Sequence, residues 1–517
     1  MGAQENHNAA LYLLERHAKG ALADKTAFLE ADGEKRSVTY GDLYDQASRM
    51  GAAYERLGVR REERVALLML DRIEWPAIFL GSMMAGVVPV ALNTLLSSEV
   101  YDTILRDCRA SVLFVSPELL PVVEPALAGN PWLTRVIVVG GKDAGGHTLF
   151  SDVMADCECR PVVHASADES AFWLYSSGST GQPKGVRHVH SSLQFTADTY
   201  GANVLGIEQD DVVYSAAKFF FAYGLGNALT FPMSVGATTI LVAGRPTPDL
   251  VVDVLNTHEP TIFCGVPTLY AALVAYLSAA DKRLSTALRR CISAGEALPE
   301  EVGKKWQQIT GAEILDGVGS TEMLHIFLSN APGDVVYGTS GNPVPGYTVR
   351  LVDEAGEDVS VGDIGELLVH GASAASDYWN QREKSRMTFE GVWTRTGDKY
   401  EQRPDGRFIY CGRTDDMFKV SGIWVSPFEV EQALSSHAAV LEAAVVPSRD
   451  EDDLEKPKAF VVLNEGVGAE GLAEQLKAHV QDKIGKWKYP RWIEIVDELP
   501  KTATGKIQRF KLRDPSD

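Results

Sequence analysis

The stretch at residues 175–185 reads YSSGSTGQPKG, and it sets the expectation for the fold around it. Hydroxyl side chains, unobstructed backbone N–H groups and a cation are partners that phosphate oxygens bind. The spacing differs from the G-x-x-x-x-G-K-[ST] of P-loop NTPases. A flexible linker is the alternative, but a linker has no need of the ordered Pro-Lys-Gly that follows. We therefore predict a phosphate-binding loop after a strand that ends near Leu174, with contacts from Ser176, Ser177, Gly178, Ser179, Thr180 and Lys184.

Apolar runs of strand length alternate with helical patterns along most of the chain. These runs lie at residues 64–70, 111–115, 135–139, 238–242 and 261–264. The alternation predicts α/β layers built on parallel sheets. Between residues 344 and 370 the pattern changes to short strands separated by turn residues. This change predicts a smaller β-rich subdomain.

The length of 517 residues exceeds what one hydrophobic core supports, so more than one domain is expected. Beyond Gly412 a fresh series of helix and strand patterns begins, at residues 429–434, 441–446 and 459–463. The predicted fold class is α/β, in two parts. A large N-terminal domain of layered α/β subdomains plus the β-rich subdomain would span residues 1–414, and a small mobile α+β C-terminal domain would span residues 415–517.

Charge and cysteine content narrow the classes of function. The 49 Lys and Arg against 70 Asp and Glu give a formal charge of -21, which repels phosphate backbones and anionic lipid headgroups. No nucleic-acid or membrane partner is expected. The six cysteines are too scattered for a disulfide framework, and Cys157 and Cys159 lack a second ligand pair for zinc. Residues 1–8 show no secretory signal, so a cytoplasmic location is expected.

One uncharged segment, residues 75–98, is long enough to suggest a membrane span. Pro76, Gly81, Gly86 and Pro89 interrupt it. We therefore predict a buried helix that ends near Gly86, followed by a short strand at residues 87–92.

Five further motifs follow the first loop along the chain. They are 293–296 (SAGE), 316–322 (DGVGSTE), 393–398 (WTRTGD), 412–422 (GRTDDMFKVSG) and 500–506 (PKTATGK). In this order they resemble the acyl-adenylate-forming superfamily, which includes acyl- and aryl-CoA synthetases, luciferases and peptide-synthetase adenylation domains. The resemblance spans nearly the whole chain. It implies that ATP activates an organic acid with Mg²⁺, and that CoA is a cosubstrate.

The resemblance assigns nucleotide and metal contacts to named positions. Excess negative charge is the main barrier when a carboxylate attacks the α-phosphate of ATP. Thr321 would bond a phosphate oxygen and Glu322 would bind Mg²⁺, unless Glu322 is a solvated carboxylate at a helix start. Asp398 and Arg413 would bind the ribose hydroxyls, or else form a surface salt bridge. The adenine would lie against Ala294, Gly295, Glu296, Asp316 and Gly317, although many relatives carry another residue at the position of Asp316.

Four positions near the C-terminus follow from the same resemblance. Lys506 would bridge the acid and the α-phosphate, although without the motif such a lysine is more often a solvated surface group. Lys419 is a second cation that could meet the acid's carboxylate, and Gly422 would lie beside CoA. Asp415 matches the family's hinge, unless it is an exposed loop aspartate. A hinge is useful because adenylation needs Lys506 at the phosphate, whereas the CoA thiol needs that face cleared.

The acyl pocket is predicted from residues particular to this chain. Residues 218–224 read KFFFAYG, with Phe221 where many relatives carry a histidine gate. A flat aromatic wall beside small residues suits a ring better than a long alkyl tail. The runs FFAYGLGN and STEMLHIFLSN closely resemble those of benzoate–CoA ligases. The predicted aryl-binding residues are Phe221, Ala222, Tyr223, Gly224, Gly319, His325 and Ile326; His325 either bonds the acid or is a satisfied core residue.

The sequence thus predicts an ATP-dependent aryl-acid–CoA ligase that converts benzoate, ATP and CoA into benzoyl-CoA, AMP and pyrophosphate. It is compatible with a homodimer. A 4-hydroxybenzoate or aminobenzoate ligase is the first alternative, and an aryl-adenylating enzyme without CoA transfer is the second. A peptide-synthetase module is disfavoured because no carrier segment follows Lys506. The intact Lys184, Glu322 and Lys506 disfavour a catalytically dead nucleotide-binding regulator, and no pocket feature recommends a luciferase-like oxygenase.

Overall fold

The computed structural model describes residues 5–177, 182–280, 284, 288–414, 416–420, 423–451, 454–464, 466–485, 488–501 and 507–513. Within these ranges the chain forms two large mixed sheets, a five-stranded antiparallel sheet and two small sheets near the C-terminus.

Short strands and helices follow one another along the described chain. The strands before residue 414 are β1 Thr26–Glu30, β2 Ser37–Thr39, β3 Arg64–Leu68, β4 Val88–Ala91, β5 Val112–Val115, β6 Arg135–Val138, β7 Thr148–Leu149, β8 Ser170–Ser177, β9 Pro183–Val189, β10 Val212–Ser215, β11 Thr238–Leu241, β12 Ile262–Gly265, β13 Arg290–Ser293, β14 Ile314–Gly319, β15 Ile326–Ser329, β16 Asn342–Pro343, β17 Thr348–Val352, β18 Ile364–His370, β19 Asp377–Tyr378, β20 Phe389–Glu390, β21 Trp393–Gln402 and β22 Phe408–Arg413. Those after it are β23 Phe418–Val420, β24 Ile423–Val425, β25 Val440–Arg449, β26 Glu455–Leu463 and β27 Trp492–Ile495. The α-helices are α1 Arg16–Ala18, α2 Tyr40–Leu57, α3 Glu74–Met84, α4 Ser98–Cys108, α5 Leu120–Leu127, α6 Phe150–Met154, α7 His190–Thr196, α8 Ala222–Leu225, α9 Phe231–Val235, α10 Pro248–His258, α11 Pro267–Ala280, α12 Glu300–Thr310, α13 Arg382–Thr388, α14 Pro427–Ser435 and α15 Leu472–Ile484. Short 3-10 or π-helical turns lie at Leu11–Glu15, Pro117–Leu119, Ala197–Leu205, Gly226–Thr230 and Arg509–Lys511.

The first large sheet has nine strands in the order β16-β15-β14-β13-β12-β10-β11-β1-β2. Its central strands pair in parallel, and antiparallel strands extend it at both ends. Ser293 of β13 and Asp316 of β14 are register partners, so the residues that follow both strands lie side by side. Ligands of open α/β sheets bind at this carboxyl edge.

The second large sheet has eight strands in the order β19-β9-β8-β4-β3-β5-β6-β7. Its parallel strands β3 to β8 confirm the predicted alternation of strands and helices. The prediction that a strand ends near Leu174 was wrong, because β8 continues to Ser177. Antiparallel pairing with β9 carries the strand onward, and the last register pair is Ser177 with Pro183. The described parts of the phosphate-loop motif therefore lie on two paired antiparallel strands, the end of β8 and the start of β9.

The remaining sheets match the predicted β-rich subdomain and C-terminal domain. Strands β17, β18, β20, β21 and β22 form the five-stranded antiparallel sheet. In the C-terminal part, β25, β26 and β27 form a three-stranded sheet, and α14 and α15 contribute to its apolar core. The α/β fold class, with a large N-terminal domain and a smaller C-terminal one, is confirmed.

The uncharged segment is part of the core. Every residue of α3 from Trp75 to Met84 is buried, and β4 lies between β3 and β8 in the second sheet. This confirms the predicted helix and strand, since an element that is apolar on all sides is stable only when it is enclosed. In the described residues, no helix combines the length and the apolar composition needed to cross a membrane.

Candidate active site

The turn at Thr321 and Glu322 lies just beyond β14 and is held in place through its backbone. His188 Nε2 donates to the Thr321 carbonyl oxygen at 2.8 Å, and the Ala375 N–H donates to the Glu322 carbonyl oxygen at 2.8 Å. Burial lowers the pKa of His188 to about 4, so the ring is neutral and fixed as a donor near neutral pH. Sequence reasoning had missed His188, because its partner is 133 residues away.

A lysine and a carboxylate meet at this turn. Lys184 Nζ, on β9, lies 3.9 Å from Glu322 Oε1, and both side chains are largely buried. Burial lowers the pKa of Lys184, the Glu322 carboxylate opposes that shift, and the positive charges of Lys384 and Arg413 add to it. The site thus contains a cation able to bind phosphate and a hard oxygen able to bind a metal.

Tyr378 contacts both Lys184 and Glu322. The sequence did not predict this residue as part of the site. Its hydroxyl donates to Glu322 Oε1 at 2.7 Å, and Lys184 Nζ lies 3.4 Å from the hydroxyl oxygen and 4.5 Å from the ring centroid. Burial raises the pKa of the Tyr378 phenol, and the Glu322 carboxylate adds to the shift, so the hydroxyl stays a donor. Pairing of β19 with β9 places the ring there, which no local spacing in the sequence indicates.

The predicted ribose pair is brought together on adjacent strands. Asp398 on β21 and Arg413 on β22 are register partners, and Arg413 Nη1 lies 3.1 Å from Asp398 Oδ1. The Arg413 side chain is 44% exposed, whereas that of Asp398 is 14% exposed, so the pair lies at the rim with the carboxylate inside. A carboxylate held in this way can accept hydrogen bonds from two adjacent hydroxyls.

The residues predicted to surround adenine lie at the carboxyl ends of β13 and β14. Ala294 is buried, while Gly295 is exposed, with a φ of 98° and open space where a side chain would begin. A flat base can approach such a backbone closely. Gly317 follows Asp316 on β14, and Glu296 follows the exposed glycine. The structure therefore brings the five residues together, and their contact with adenine stays a prediction.

Asp316 has an environment that the sequence did not indicate. Its carboxyl is buried; Oδ2 accepts from the Leu298 N–H at 3.3 Å, and Oδ1 has no partner in the described residues. Burial raises its pKa to about 8, and the Leu298 N–H opposes that shift. The protein therefore holds a protonated carboxylic acid beside the predicted adenine position at neutral pH.

Replacing Asp316 by Asn tests this protonation state. A carboxyl whose pKa is raised on folding contributes stability at low pH that is lost as pH rises towards the folded pKa, here between about 4 and about 8. The amide has no such dependence. We expect the melting temperature of the Asn variant to rise relative to the wild type between pH 5 and pH 8, measured by differential scanning fluorimetry. A pH-independent difference would contradict the assignment.

The predicted aryl wall forms the start of α8. Phe221 is partly exposed and packs on Phe220 at a centroid distance of 4.4 Å, and Ala222 is buried. The Tyr223 hydroxyl lies 2.9 Å from the Gly265 carbonyl oxygen, so it has a structural partner. A Cβ on Gly224 would lie 2.0 Å from the Lys218 carbonyl oxygen. Close backbone packing thus accounts for this glycine, and its place beside an aromatic ring stays a prediction.

His325 is enclosed by aromatic rings. Its centroid lies 4.5 Å from Phe231, 5.0 Å from Tyr200 and 5.7 Å from Tyr223. Burial lowers its pKa to about 3, so the imidazole is neutral, and neither ring nitrogen has a hydrogen-bond partner in the described residues. Those nitrogens keep the capacity to bond a ligand. Ile326, which follows, is buried on β15 and is the register partner of Gly319.

Several predicted residues lie outside the described residues. These are Gly178, Ser179 and Thr180 of the predicted phosphate loop, the predicted hinge residue Asp415, the predicted CoA residue Gly422 and the predicted catalytic residue Lys506. For Ser177 and Lys419 only the backbone is described, in β8 and β23. Ser176 is the register partner of Lys184, and its buried hydroxyl has no partner among the described residues. Its free hydroxyl is consistent with a phosphate contact.

The donor set at the turn fits Mg²⁺. This ion is usually held by one or two carboxylates together with waters and substrate phosphates. Glu322 offers one carboxylate that is 16% exposed, and Thr321 beside it carries a hydroxyl. No cluster of three or more His, Cys, Asp or Glu side chains suited to a metal occurs in the described residues. A metal at Glu322 would therefore depend on phosphate oxygens for its remaining contacts besides water.

The site combines a cation, a carboxylate and exposed glycine backbone near the carboxyl ends of parallel strands. This arrangement is typical of an enzyme that binds a phosphorylated ligand. The chain belongs to the AMP-binding enzyme family, whose profile matches residues 14–379, and the profile of the AMP-binding enzyme C-terminal domain matches residues 429–506.

Relatives of known activity match along almost the whole chain. The chain is 52% identical to the 4-hydroxybenzoate–CoA/benzoate–CoA ligase of Rhodopseudomonas palustris, over 98% of this chain and 94% of that protein. It is 53% identical to the benzoate–CoA ligase of Thauera aromatica, over 98% and 96% of the two chains. The crystal structure of a benzoate CoA ligase from Burkholderia xenovorans superimposes with a TM-score of 0.89 at 49% identity, covering 99% of this chain and all of that one.

Proposed function

We propose that the protein is an AMP-forming aryl-acid–CoA ligase whose first substrate is benzoate. In the first step a carboxylate oxygen of the acid attacks the α-phosphorus of ATP, and pyrophosphate leaves. In the second step the CoA sulfur attacks the acyl carbon of the aryl-adenylate, and AMP leaves with the electron pair of the broken C–O bond. The observation that carries the proposal is the meeting of Lys184 and Glu322 at the turn after β14, with the Tyr378 hydroxyl between them.

Each charged residue has a task in the first step. Lys184 supplies positive charge to the phosphate oxygens of ATP, and its placement beside Glu322 keeps that charge in position before the nucleotide binds. Glu322, with the Thr321 hydroxyl beside it, would hold Mg²⁺, which supplies further neutralisation of the triphosphate. Asp398 and Arg413 hold the ribose at the rim. The ligand is thereby fixed at both ends.

The acid is assigned from the pocket and from the relatives. Phe221 is the N-cap of the short helix α8 and Ala222 is its first residue, so the proposed wall places an aromatic ring beside a small side chain. The relatives named for benzoate and 4-hydroxybenzoate support a single-ring acid. The His325 ring nitrogens, which have no hydrogen-bond partner in the described part of the chain, offer the polar group that a hydroxyl or amino substituent needs, so 4-hydroxybenzoate and aminobenzoate are the alternative substrates.

The domain and partner assignments complete the proposal. Residues 1–414 form the adenylating domain, residues 415–517 carry Lys506, and Asp415 is the hinge between them. Lys419 meets the acid's carboxylate, and Gly422 lies beside CoA. The enzyme works in the cytoplasm on small molecules alone, either as a monomer or as a homodimer.

An end-product assay tests the reaction class. With ATP, Mg²⁺, CoA and benzoate, the purified protein is expected to release equal amounts of AMP, pyrophosphate and benzoyl-CoA, all measured by liquid chromatography. The same assay with 4-hydroxybenzoate, 2-aminobenzoate and octanoate ranks the acids by kcat/KM. We expect each aromatic acid to exceed octanoate, because the short flat wall excludes a long alkyl chain.

Two outcomes would overturn the assignment separately. ADP and phosphate as products would exclude an adenylate. A higher kcat/KM for octanoate than for benzoate would retain the reaction class and exclude the aryl pocket.

A further inference from the structure

A lysine three residues before the predicted aryl gate is turned inward to the end of a strand. Lys218 Nζ donates to the Gly244 carbonyl oxygen at 2.9 Å and also to that of Val242. Both carbonyls lie just beyond β11. Asp32 accepts from the Ala243 and Gly244 N–H groups at 2.9 Å each. The residues after β11 are thus held by a cation on one side and a carboxylate on the other.

The backbone of the same lysine supports the gate. The Phe221 N–H donates to the Lys218 carbonyl oxygen at 3.0 Å, closing a tight turn. The Gly224 Cα packs so closely on this oxygen that a Cβ would lie only 2.0 Å away. The Lys218 carbonyl group therefore contacts both Phe221 and the first turn of α8. Because the ammonium of the same residue is bonded to the residues just after β11, the position of the Lys218 carbonyl group depends on the Lys218 side chain.

The segment between the anchor and the gate is also fixed. Phe219 stacks on Trp75 with a centroid distance of 4.5 Å, and its N–H donates to Asp71 Oδ1 at 3.4 Å. Asp71 is 5% exposed; burial raises its pKa to about 6, and the Lys218 charge opposes that shift. Burying a cation is costly unless opposite charge and acceptors surround it. Two carbonyl oxygens accept from the Lys218 ammonium, and the negative charges of Asp71 and Asp32 raise its pKa against the effect of burial, so the surroundings of this lysine favour its charged form.

We propose that Lys218 is a positioning residue for the aromatic acid: its ammonium fixes the Phe221 turn to the end of β11 and so sets the width of the aryl site. It does not touch the acid and acts through the Lys218 carbonyl. This inference rests on the proposed function, because it assumes that Phe221 borders the acid. It predicts that loss of the anchor loosens the acid site and leaves ATP binding unchanged.

Adenylation kinetics of two matched variants test the anchor. Lys218→Met keeps the length of the side chain and removes its charge and donors. Lys25→Met is the control, because Lys25 Nζ also donates to two carbonyl oxygens, those of Gln209 and of Gly236 (2.7 Å), away from the aryl wall. Pyrophosphate release is measured with benzoate varied, with ATP varied, and with 4-hydroxybenzoate in place of benzoate. Melting temperatures are recorded in parallel.

We expect Lys218→Met to raise the KM for benzoate on the order of tenfold, the scale of one lost charged hydrogen bond, and to leave the KM for ATP within about twofold. The preference for benzoate over 4-hydroxybenzoate should shrink, because a wider site discriminates ring substituents less. Lys25→Met should lower the melting temperature similarly and change neither KM.

Three results would overturn the inference: an unchanged KM for benzoate, an equal rise in both KM values, or the same kinetic change in Lys25→Met. Should Lys218→Met fail to fold, Lys218→Gln, which keeps one donor group, is judged by the same KM comparison. The wild type separates the two proposals. A wild type that does not adenylate benzoate refutes the proposed function, whereas an active wild type with an unchanged variant refutes only the role of Lys218.

Discussion

Replacing Lys506 by Ala is expected to slow adenylation of benzoate by about a hundredfold or more, while thioester formation from pre-made benzoyl-AMP largely survives. In the proposed mechanism the lysine supplies charge to the α-phosphate only while pyrophosphate is leaving, and loss of one such electrostatic donor costs roughly 3 kcal/mol in the transition state. The second step of that mechanism needs the face around the phosphate cleared for the CoA thiol, so we expect the lysine not to be required there. Pyrophosphate release without CoA, and CoA consumption with synthetic adenylate, measure the two steps separately.

The described residues on either side of Lys506 indicate that its replacement should not disturb the surrounding fold. Lys501 and Ile507, the described residues that flank the segment with Lys506, form an isolated β-bridge. Behind it, Arg509 Nη2 lies 2.7 Å from Glu431 Oε2, and Glu431 is buried. The described residues on both sides of the segment are therefore held by contacts that do not involve Lys506. The variant should keep the melting temperature of the wild type.

Lys501→Ala is the matched control for this prediction. It removes a lysine from the same motif, one whose Nζ lies 2.6 Å from Glu442 Oε1. A partly exposed pair of this kind contributes little to stability. We expect both half-reactions to stay near wild-type rates. If Lys506→Ala slows both half-reactions to the same extent, the lysine does not act in adenylation alone and the domain-alternation account is wrong.

Regular elements were predictable because their signals are local. The runs at residues 64–70 and 238–242 became β3 and β11, and the uncharged segment became α3 and β4, because burial on all sides requires an apolar sequence. Asp398 and Arg413 lie side by side on β21 and β22 and form an ion pair, which was the alternative that the sequence left open, and their contact with ribose stays a prediction.

The parts that were missed depend on contacts between distant segments. Tyr378 reaches Glu322 only because β19 pairs with β9, and His188, the residue on β9 that follows the paired Arg187, reaches Thr321. In neither case does the sequence spacing between the residue and its partner indicate that the two are in contact. Similarly, KFFFAYG indicated an aromatic wall, but not that Lys218 turns inward to the end of β11. Protonation was missed for the same reason, since the burial of Asp316 follows from packing alone.

Glu322→Gln is the second substitution expected to have a large effect. The amide has nearly the same size, and its oxygen can still accept from the Tyr378 hydroxyl, now 2.7 Å from Glu322 Oε1. The turn also keeps its backbone contacts from His188 and Ala375. Fold and melting temperature should therefore be preserved. The variant loses only the negative charge, which is the property that a hard cation requires.

The control for this variant is Glu366→Gln. Glu366 resembles Glu322 in exposure, at 17% against 16%, and pairs with Arg395 at 2.8 Å in the β-rich subdomain. It lies outside the proposed site. We expect it to leave both half-reactions unchanged, so that any effect shared by the two variants reports a general loss of stability.

Loss of the Glu322 charge should reduce the kcat of adenylation by about a hundredfold to a thousandfold, because Mg²⁺ and Lys184 both depend on it. The carboxylate raises the pKa of Lys184 against the effect of burial, so its removal lowers that pKa further. A lysine with a lower pKa loses its charge at a lower pH, and the alkaline limb of the rate profile should move to lower pH in the variant. Excess Mg²⁺ should not restore the rate, since the missing ligand belongs to the protein. A variant that regains wild-type adenylation at high Mg²⁺, or that keeps the wild-type alkaline limb, would show that Glu322 is neither the metal ligand nor the counter-charge of Lys184.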